Sequence, residues 1–286
     1  MEAPLHVAAS SLLRNLRTGY SATLYFLLTG FSARDINRLR RTLDGTGRTY
    51  TMKLLEAPDT AVFRGFRPLH GNLTPYYRLL LPDIVDEDRL LYFDSDTQIN
   101  IDVSPLFELD MGSNAAGFVV DGIVSAMLES SFFLSLGKAP DGPAFNSGTM
   151  LFNILEWRRQ DCLRRILAFC REHSEQLVTA DQTALNAVFG GDCYRIDPRY
   201  NIKMYQVKGA EASSANGVLH FVGSPKPWDI GGRFLVKYAA QWFADLRKTA
   251  IPVYRQTPWL TAAAWARLPR ILGGYRRLVK QKFHRR

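Results

Sequence analysis

The chain has 286 residues, 47% of them hydrophobic, which is enough to bury a real core and excludes a disordered or disulfide-framework protein. No apolar run reaches the roughly 18 residues that span a bilayer, and "MEAPLHVAASS" lacks the basic-then-apolar order of a signal peptide, so the expected location is cytoplasmic. The net charge of +9 is local: eleven Lys and Arg and no acid follow residue 245, which leaves residues 1–245 at −2.

In chain order the pattern is α/β. "LHVAAS" (5–10) predicts a first strand and "ATLYFLLTG" (22–30) a second. Ser32 is placed to cap a helix through "ARDINRLRRTL", because its hydroxyl accepts orphan backbone N–H groups. "YTMKLLEA" predicts a third strand, "TPYYRLLLPDIV" (74–85) a helix with Pro75 in its first turn, and "DRLLYFDSD" a fourth strand. "AAGFVVD" (115–121) and "GTMLFNI" (148–154) are short apolar runs, and one helix is expected over "LEWRRQDCLRRILAFCREH". Such runs between helical patterns argue for a largely parallel sheet covered on both faces. One domain is expected over 1–245, followed by a basic extension over 246–286. Cys162, Cys170 and Cys193 are odd in number and show no C-x-x-C spacing, so free thiols are expected.

The chemistry gathers at two places. "LLYFDSDTQIN" (90–100) carries a buried-looking strand up to Asp94 and Asp96 and stops there. In open α/β sheets ligands bind beyond the carboxyl ends of strands, and residues i and i+2 of an extended strand share a face, so both carboxylates can converge on one cation. "VLHFVGSPKPWD" (218–229) adds His220, whose neutral imidazole suits an ion that accepts mixed N and O ligands. Gly223 would let backbone N–H groups approach a phosphate, and Lys226 would supply a point charge.

Four ordered segments resemble glycosyltransferase family 8, retaining enzymes that use nucleotide sugars. "LLYFDSDTQIN" is similar to the family's Y-L-D-x-D strand end, "FNSGTMLFNILEWRR" (145–159) to F-N-A-G-V-x-x-x-N-L-x-x-W-R, "ADQTALN" (180–186) to D-Q-D-x-L-N, and "HFVGSPKPW" to H-x-x-G-x-x-K-P-W. "TPYYRLLLPDIV" resembles its T-x-Y-x-R-L helix. The resemblance implies a GT-A-like single Rossmann-type nucleotide-sugar-binding domain with a mixed, mostly parallel central sheet. It implies transfer of a hexose, galactose or glucose, from a UDP-sugar to a glycan or lipid-linked acceptor such as a bacterial surface glycolipid, with Mn²⁺ or Mg²⁺.

By position, the resemblance gives Asp94, Asp96 and His220 to the metal and Gly223 and Lys226 to the phosphates. Arg78 and Ser95 would sit beside the donor, Asn146, Asp181 and Gln182 would line the sugar, and Asp121 is similar to a carboxylate near the transferred sugar. Asp181 and Gln182 are both candidates for the group opposite the anomeric carbon, and the choice between a covalent intermediate and same-face attack stays open. The family's first strand ends in a base-reading A-A-D; here "VAASS" stands nearest, placing Ala8 and Ser10 at the base with a hydroxyl in place of a carboxylate. Thr183 and Ser147 are further departures.

In the tail, Trp265, Leu268, Leu272, Tyr275, Leu278 and Val279 recur at near-helical spacing among arginines and lysines, as in an interfacial segment docking on the anionic inner face of a membrane. Pro269 and Gly273-Gly274 are expected to interrupt that helix. No nucleic-acid reader motif accompanies the charge. Two alternatives are a haloacid-dehalogenase-like phosphatase, whose D-x-D-x-T opening "LLYFDSDTQI" also resembles, and a non-enzymatic module that binds anionic surfaces.

Overall fold

The computed structural model describes residues 2–56, 58–204 and 216–283. Its first element corrects the expected strand over 5–10: Glu2–Asn15 is a helix, α1. Val7 and Leu13 are fully buried, and so are His6, Ser10 and Ser11. A helix buried on several sides lacks the one-faced periodicity that would distinguish its six apolar or small residues from a buried strand. Val7 joins a core with Leu219, Phe221 and Trp242, whereas Ala9 and Leu13 join another with Phe26, Leu39 and Leu43.

Strand β1 (Ala22–Leu27) leads to α2 (Ala33–Asp44). Ser32 caps α2 as expected: its Oγ accepts from the Asp35 N–H at 3.3 Å, and the Asp35 carboxylate accepts from the Ser32 N–H at 3.0 Å. Then comes β2 (Tyr50–Leu55). Residues 74–84 are a 3₁₀ stretch, Thr74–Leu80, running into one α-turn, α3 (Leu81–Ile84), with a proline in the first turn of each. Next are β3 (Arg89–Phe93), β4 (Thr97–Ile99), β5 (Ala116–Ile123), α4 (Ser130–Ser135) and β6 (Pro143–Asn153). The single helix expected from 155 to 173 is two, α5 (Ile154–Arg159) and α6 (Cys162–Glu172), because Asp161 between them turns left-handed at φ 53°. The remainder is α7 (Asp181–Phe189), β7 (Tyr194–Arg195), β8 (Ile202–Lys203), β9 (Val218–His220), α8 (Gly232–Leu235), α9 (Ala239–Leu246), α10 (Val253–Gln256) and α11 (Ala262–Phe283).

The chain forms two compact units, one of Met1–Glu56, Asp94–Ser104 and Asn201–Arg286, the other of Ala57–Phe93 and Pro105–Tyr200. In the first, β1 and β2 pair in parallel, and β9 lies between β4, antiparallel, and β8, parallel. In the second, the order is β3-β6-β5-β7, with β6 antiparallel to both neighbours and β5 parallel to β7. The fold is α/β with mixed sheets, and among the described residues parallel and antiparallel pairings are equally frequent. The parallel share is smaller than expected because "GTMLFNI" is buried on both faces, with Met150, Leu151 and Phe152 at 0% exposure, so it carries no alternation that would mark an antiparallel strand.

The helix expected to break at Pro269 and Gly273-Gly274 runs on as α11. A Cβ on Gly274 would lie 2.3 Å from the Ser224 carbonyl oxygen, so the helix backbone rests directly on that loop. The Tyr275 hydroxyl donates to the Ile230 carbonyl, Arg267 pairs with buried Asp229 at 3.2 Å, and Ile271 is buried. These contacts offset a propensity cost of about 1 kcal/mol per glycine and about 3 for proline. The side chains of Leu278 and Val279 lie outside the described residues. No described helix is long and apolar enough to cross a membrane. The three cysteines are unbonded, and burial pushes the thiols of Cys162 and Cys193 up to about 11 and that of Cys170 up to about 12.

Candidate active site

The first unit holds the acidic pair. Residues 94–96 form a turn, in which the N–H and hydroxyl of Thr97 both donate to the Asp94 carbonyl, at 3.2 and 2.8 Å. The two carboxylates therefore converge through a turn, and not through the alternation of an extended strand. The register of β4 on β9 sets Thr97 opposite His220, and the Phe221 N–H donates to the Asp96 carbonyl at 3.0 Å. That pairing brings His220 Nε2 to 3.6 Å from Asp94 Oδ2 and 3.2 Å from Asp96 Oδ1.

Imidazole Nδ1 lies 2.9 Å from Asn201 Oδ1. An amide oxygen only accepts, so Nδ1 donates to Asn201 and Nε2 is the ring atom left facing the two carboxylates. Ligand atoms of Asp94, Asp96 and His220 lie within 4.8 Å of one another, a convergence of electron-pair donors that suits a small divalent ion.

The loop after β9 supplies the positive charge. Gly223 is left-handed at φ 71°, and the Lys226 N–H donates to Asp229 at 2.8 Å. Lys226 Nζ pairs with Asp96, so an ammonium offsets part of the negative charge of the two carboxylates. Burial works to raise the Asp96 carboxyl, but His220 and Lys226 outweigh it and hold the group well below the usual carboxylate range. Ser95 lies half-buried in the turn.

Helix α1 braces this turn from behind. Ser11 Oγ accepts from the Ile99 N–H at 3.0 Å, and Asn15 donates to the Ile99 carbonyl at 2.9 Å, so two side chains serve as a partner strand for β4. Ala8 and Ser10 are corrected here: both are buried inside α1, and the Ser10 hydroxyl is engaged by the Val7 carbonyl and by Arg14. Neither ends a strand, so the comparison with a base-reading A-A-D fails on geometry.

The second unit gathers the other candidates. Arg78, 8% exposed, donates to the Ser147 carbonyl at 2.6 Å and the Pro75 carbonyl at 3.0 Å, lies 3.1 Å from Asp181, and covers the Tyr92 ring at 4.6 Å. Gln182 Oε1 accepts from the Asn146 amide at 2.8 Å and the Ser147 N–H at 3.3 Å. Asn186 of α7 makes both backbone hydrogen bonds of Phe145, at 3.0 and 2.9 Å, and so fixes β6 just before Asn146. Asp121 stands exposed on β5 within the second of two register shifts, between Val120 and Gly122, where a bulged strand re-aims its side chains. Sequence reasoning missed the supporting amides: Asn201 and Asn15 carry no periodic signal, and Asn186 ended a motif without a role.

The model for glycosyl transferase family 8 matches residues 4–230. The chain belongs to glycosyl transferase family 8. Similar proteins include general stress protein A of Bacillus subtilis strain 168, 28% identical over 77% of this chain and 80% of that protein. A lipopolysaccharide 1,2-glucosyltransferase of Escherichia coli is 26% identical over 66% of this chain, which spans 57% of it. A crystal structure of the galactosyltransferase LgtC with donor and acceptor sugar analogues superposes with a TM-score of 0.73, covering 88% of this chain and 94% of that one at 24% identity. That likeness carries the fold, GT-A. Both clusters fall inside the family 8 match, and the basic tail over 246–286 falls outside it.

Proposed function

We propose that the chain transfers a hexose, galactose or glucose, from a UDP-sugar to a glycan or lipid-linked acceptor with retention at the anomeric carbon. The observation that carries this is the convergence of His220 Nε2 with the carboxylates of Asp94 and Asp96. These three would hold Mn²⁺ or Mg²⁺, which as a Lewis acid supplies charge to neutralise a departing diphosphate. Lys226 and the backbone at Gly223 are assigned to the same diphosphate, with Ser95 beside it. By resemblance, Arg78 is assigned beside the donor, and Asn146, Asp181 and Gln182 to the sugar. With its carbonyl oxygen already taken by two donors, Gln182 offers its NH₂ group as a donor. Asp121 is assigned to the neighbourhood of the transferred sugar by the same resemblance. Uracil as the base rests on family membership alone, since Ala8 and Ser10 do not serve it.

The test is UDP release from UDP-glucose and UDP-galactose with Mn²⁺. Slow hydrolysis that chelation abolishes is expected. Hydrolysis of phosphate monoesters in its place would favour a phosphatase, and inertness together with no nucleotide binding would leave a binding module.

For the tail we propose docking on the anionic inner face of a membrane. Trp259, Leu260, Trp265 and Leu272 are exposed among basic residues, and each basic group near such a surface adds about 1 kcal/mol. Flotation with phosphatidylserine vesicles is expected to recover the full chain and to fail for the Leu260→Ser/Trp265→Ser variant; equal recovery would remove the idea.

A further inference from the structure

We propose that Glu129 is a positioning residue, holding the turn before α7 in the strained form that presents Asp181 and Gln182. The role of those two side chains in sugar transfer rests on the proposed function; the clamp itself stands on geometry.

The turn is costly as it stands. Ala180, fully buried, has φ 56° and ψ −124°, a conformation ordinarily left to glycine, and persists only where its surroundings over-determine it. As the residue preceding α7, alanine has no side-chain oxygen with which to cap the helix amides. The constraint comes from elsewhere. Glu129, at the head of α4 and 4% exposed, points Oε1 at this turn. That one oxygen accepts from the Thr179 N–H at 3.0 Å, the Thr179 hydroxyl at 2.7 Å and the Thr183 hydroxyl at 2.7 Å.

Thr183 Oγ1 also lies 3.1 Å from the Thr179 nitrogen and 3.0 Å from its hydroxyl, so the three side chains form one closed knot across the strained residue. Among the described residues, the hydrogen bonds of the Glu129 carboxylate go to residues 179 and 183, and none comes from a basic side chain. A carboxylate buried against hydroxyls and a peptide N–H is a poor choice for bulk stability, where an apolar side chain of similar size would serve. It is a good choice for fixing one backbone conformation. What that conformation delivers is next in the chain: Asp181 opposite Arg78, and Gln182 against Asn146.

The test compares the full-length protein with Glu129→Ala, Glu129→Gln and the double variant Glu129→Ala/Thr183→Asp. Amide exchange is followed by mass spectrometry at a temperature where all four are folded. Glu129→Ala is expected to speed exchange at residues 179–182 by roughly tenfold to a hundredfold, the effect of one lost network of buried hydrogen bonds, with little change elsewhere. Glu129→Gln keeps an accepting oxygen and should stay near the parent. Aspartate at 183 places a carboxylate where Thr183 Oγ1 already meets Thr179, so the double variant should regain protection. Maximal UDP release should fall and recover in the same order.

Unchanged exchange at 179–182 in Glu129→Ala would overturn the clamp. So would a double variant that regains thermal stability without regaining the release rate, the mark of a merely structural group. If the parent releases UDP from no donor, the transfer activity is what fails, and the exchange data still decide the clamp.

Discussion

Replacing Asp96 by asparagine is expected to lower UDP release by a thousandfold or more, on the order of the several kcal/mol a metal ion supplies to a developing charge. The same change should weaken Mn²⁺ binding, titrated by electron paramagnetic resonance without nucleotide, by at least about tenfold. Asparagine keeps the shape of the turn but removes the charge that faces both His220 Nε2 and Lys226 Nζ. Lys226→Met is the matched comparison. It should also lose UDP release, because the diphosphate loses a cation, yet bind Mn²⁺ at least as tightly as the parent, since no ammonium opposes the ion at Asp96. Mn²⁺ affinity within twofold of the parent in Asp96→Asn would refute the metal assignment.

Arg78→Met should cost stability as well as activity. The guanidinium is buried, and it is the cation beside Asp181, itself 2% exposed. Removing one partner of a buried pair weakens the compensation of the other charge and costs up to about 3–5 kcal/mol. In a chain of this size that corresponds to a fall of roughly 10 °C in Tm. Arg78→Lys keeps the charge but not the fork that reaches the Ser147 and Pro75 carbonyls together, so an intermediate loss is expected. The double variant Arg78→Met/Asp181→Leu should be less destabilised than the two single losses combined, because the two groups that interact directly are removed together. Strict additivity in calorimetry would show that the pair is uncoupled.

The candidate site residues were more legible than the elements that carry them. Asp94, Asp96 and His220 stood out because two carboxylates at the end of an apolar run need a reason, and a histidine in a second apolar run supplies one. Their assembly was not legible in full. The turn that brings the carboxylates together depends on Thr97 folding back on the Asp94 carbonyl, a local bond with no periodic signature. Helix α1 was misread as a strand because its buried residues cover several faces, and that error carried Ala8 and Ser10 into a role they do not have. The split of α5 from α6 turns on one left-handed residue, Asp161, in a sequence that otherwise reads as a single helix. Glu129 lay outside every motif, since its meaning depends on Thr179 and Thr183, about fifty residues further along the chain.

Gly274 makes the closing helix a piece of joinery as much as an appendage. Its peptide surface is seated on Ser224, one residue after Gly223 and two before Lys226. A methyl group at 274 would have to lever the seam apart. Deleting the tail would therefore strip the backing from the loop that carries Lys226, and a shortened chain would report on that loop before it reported on any bilayer.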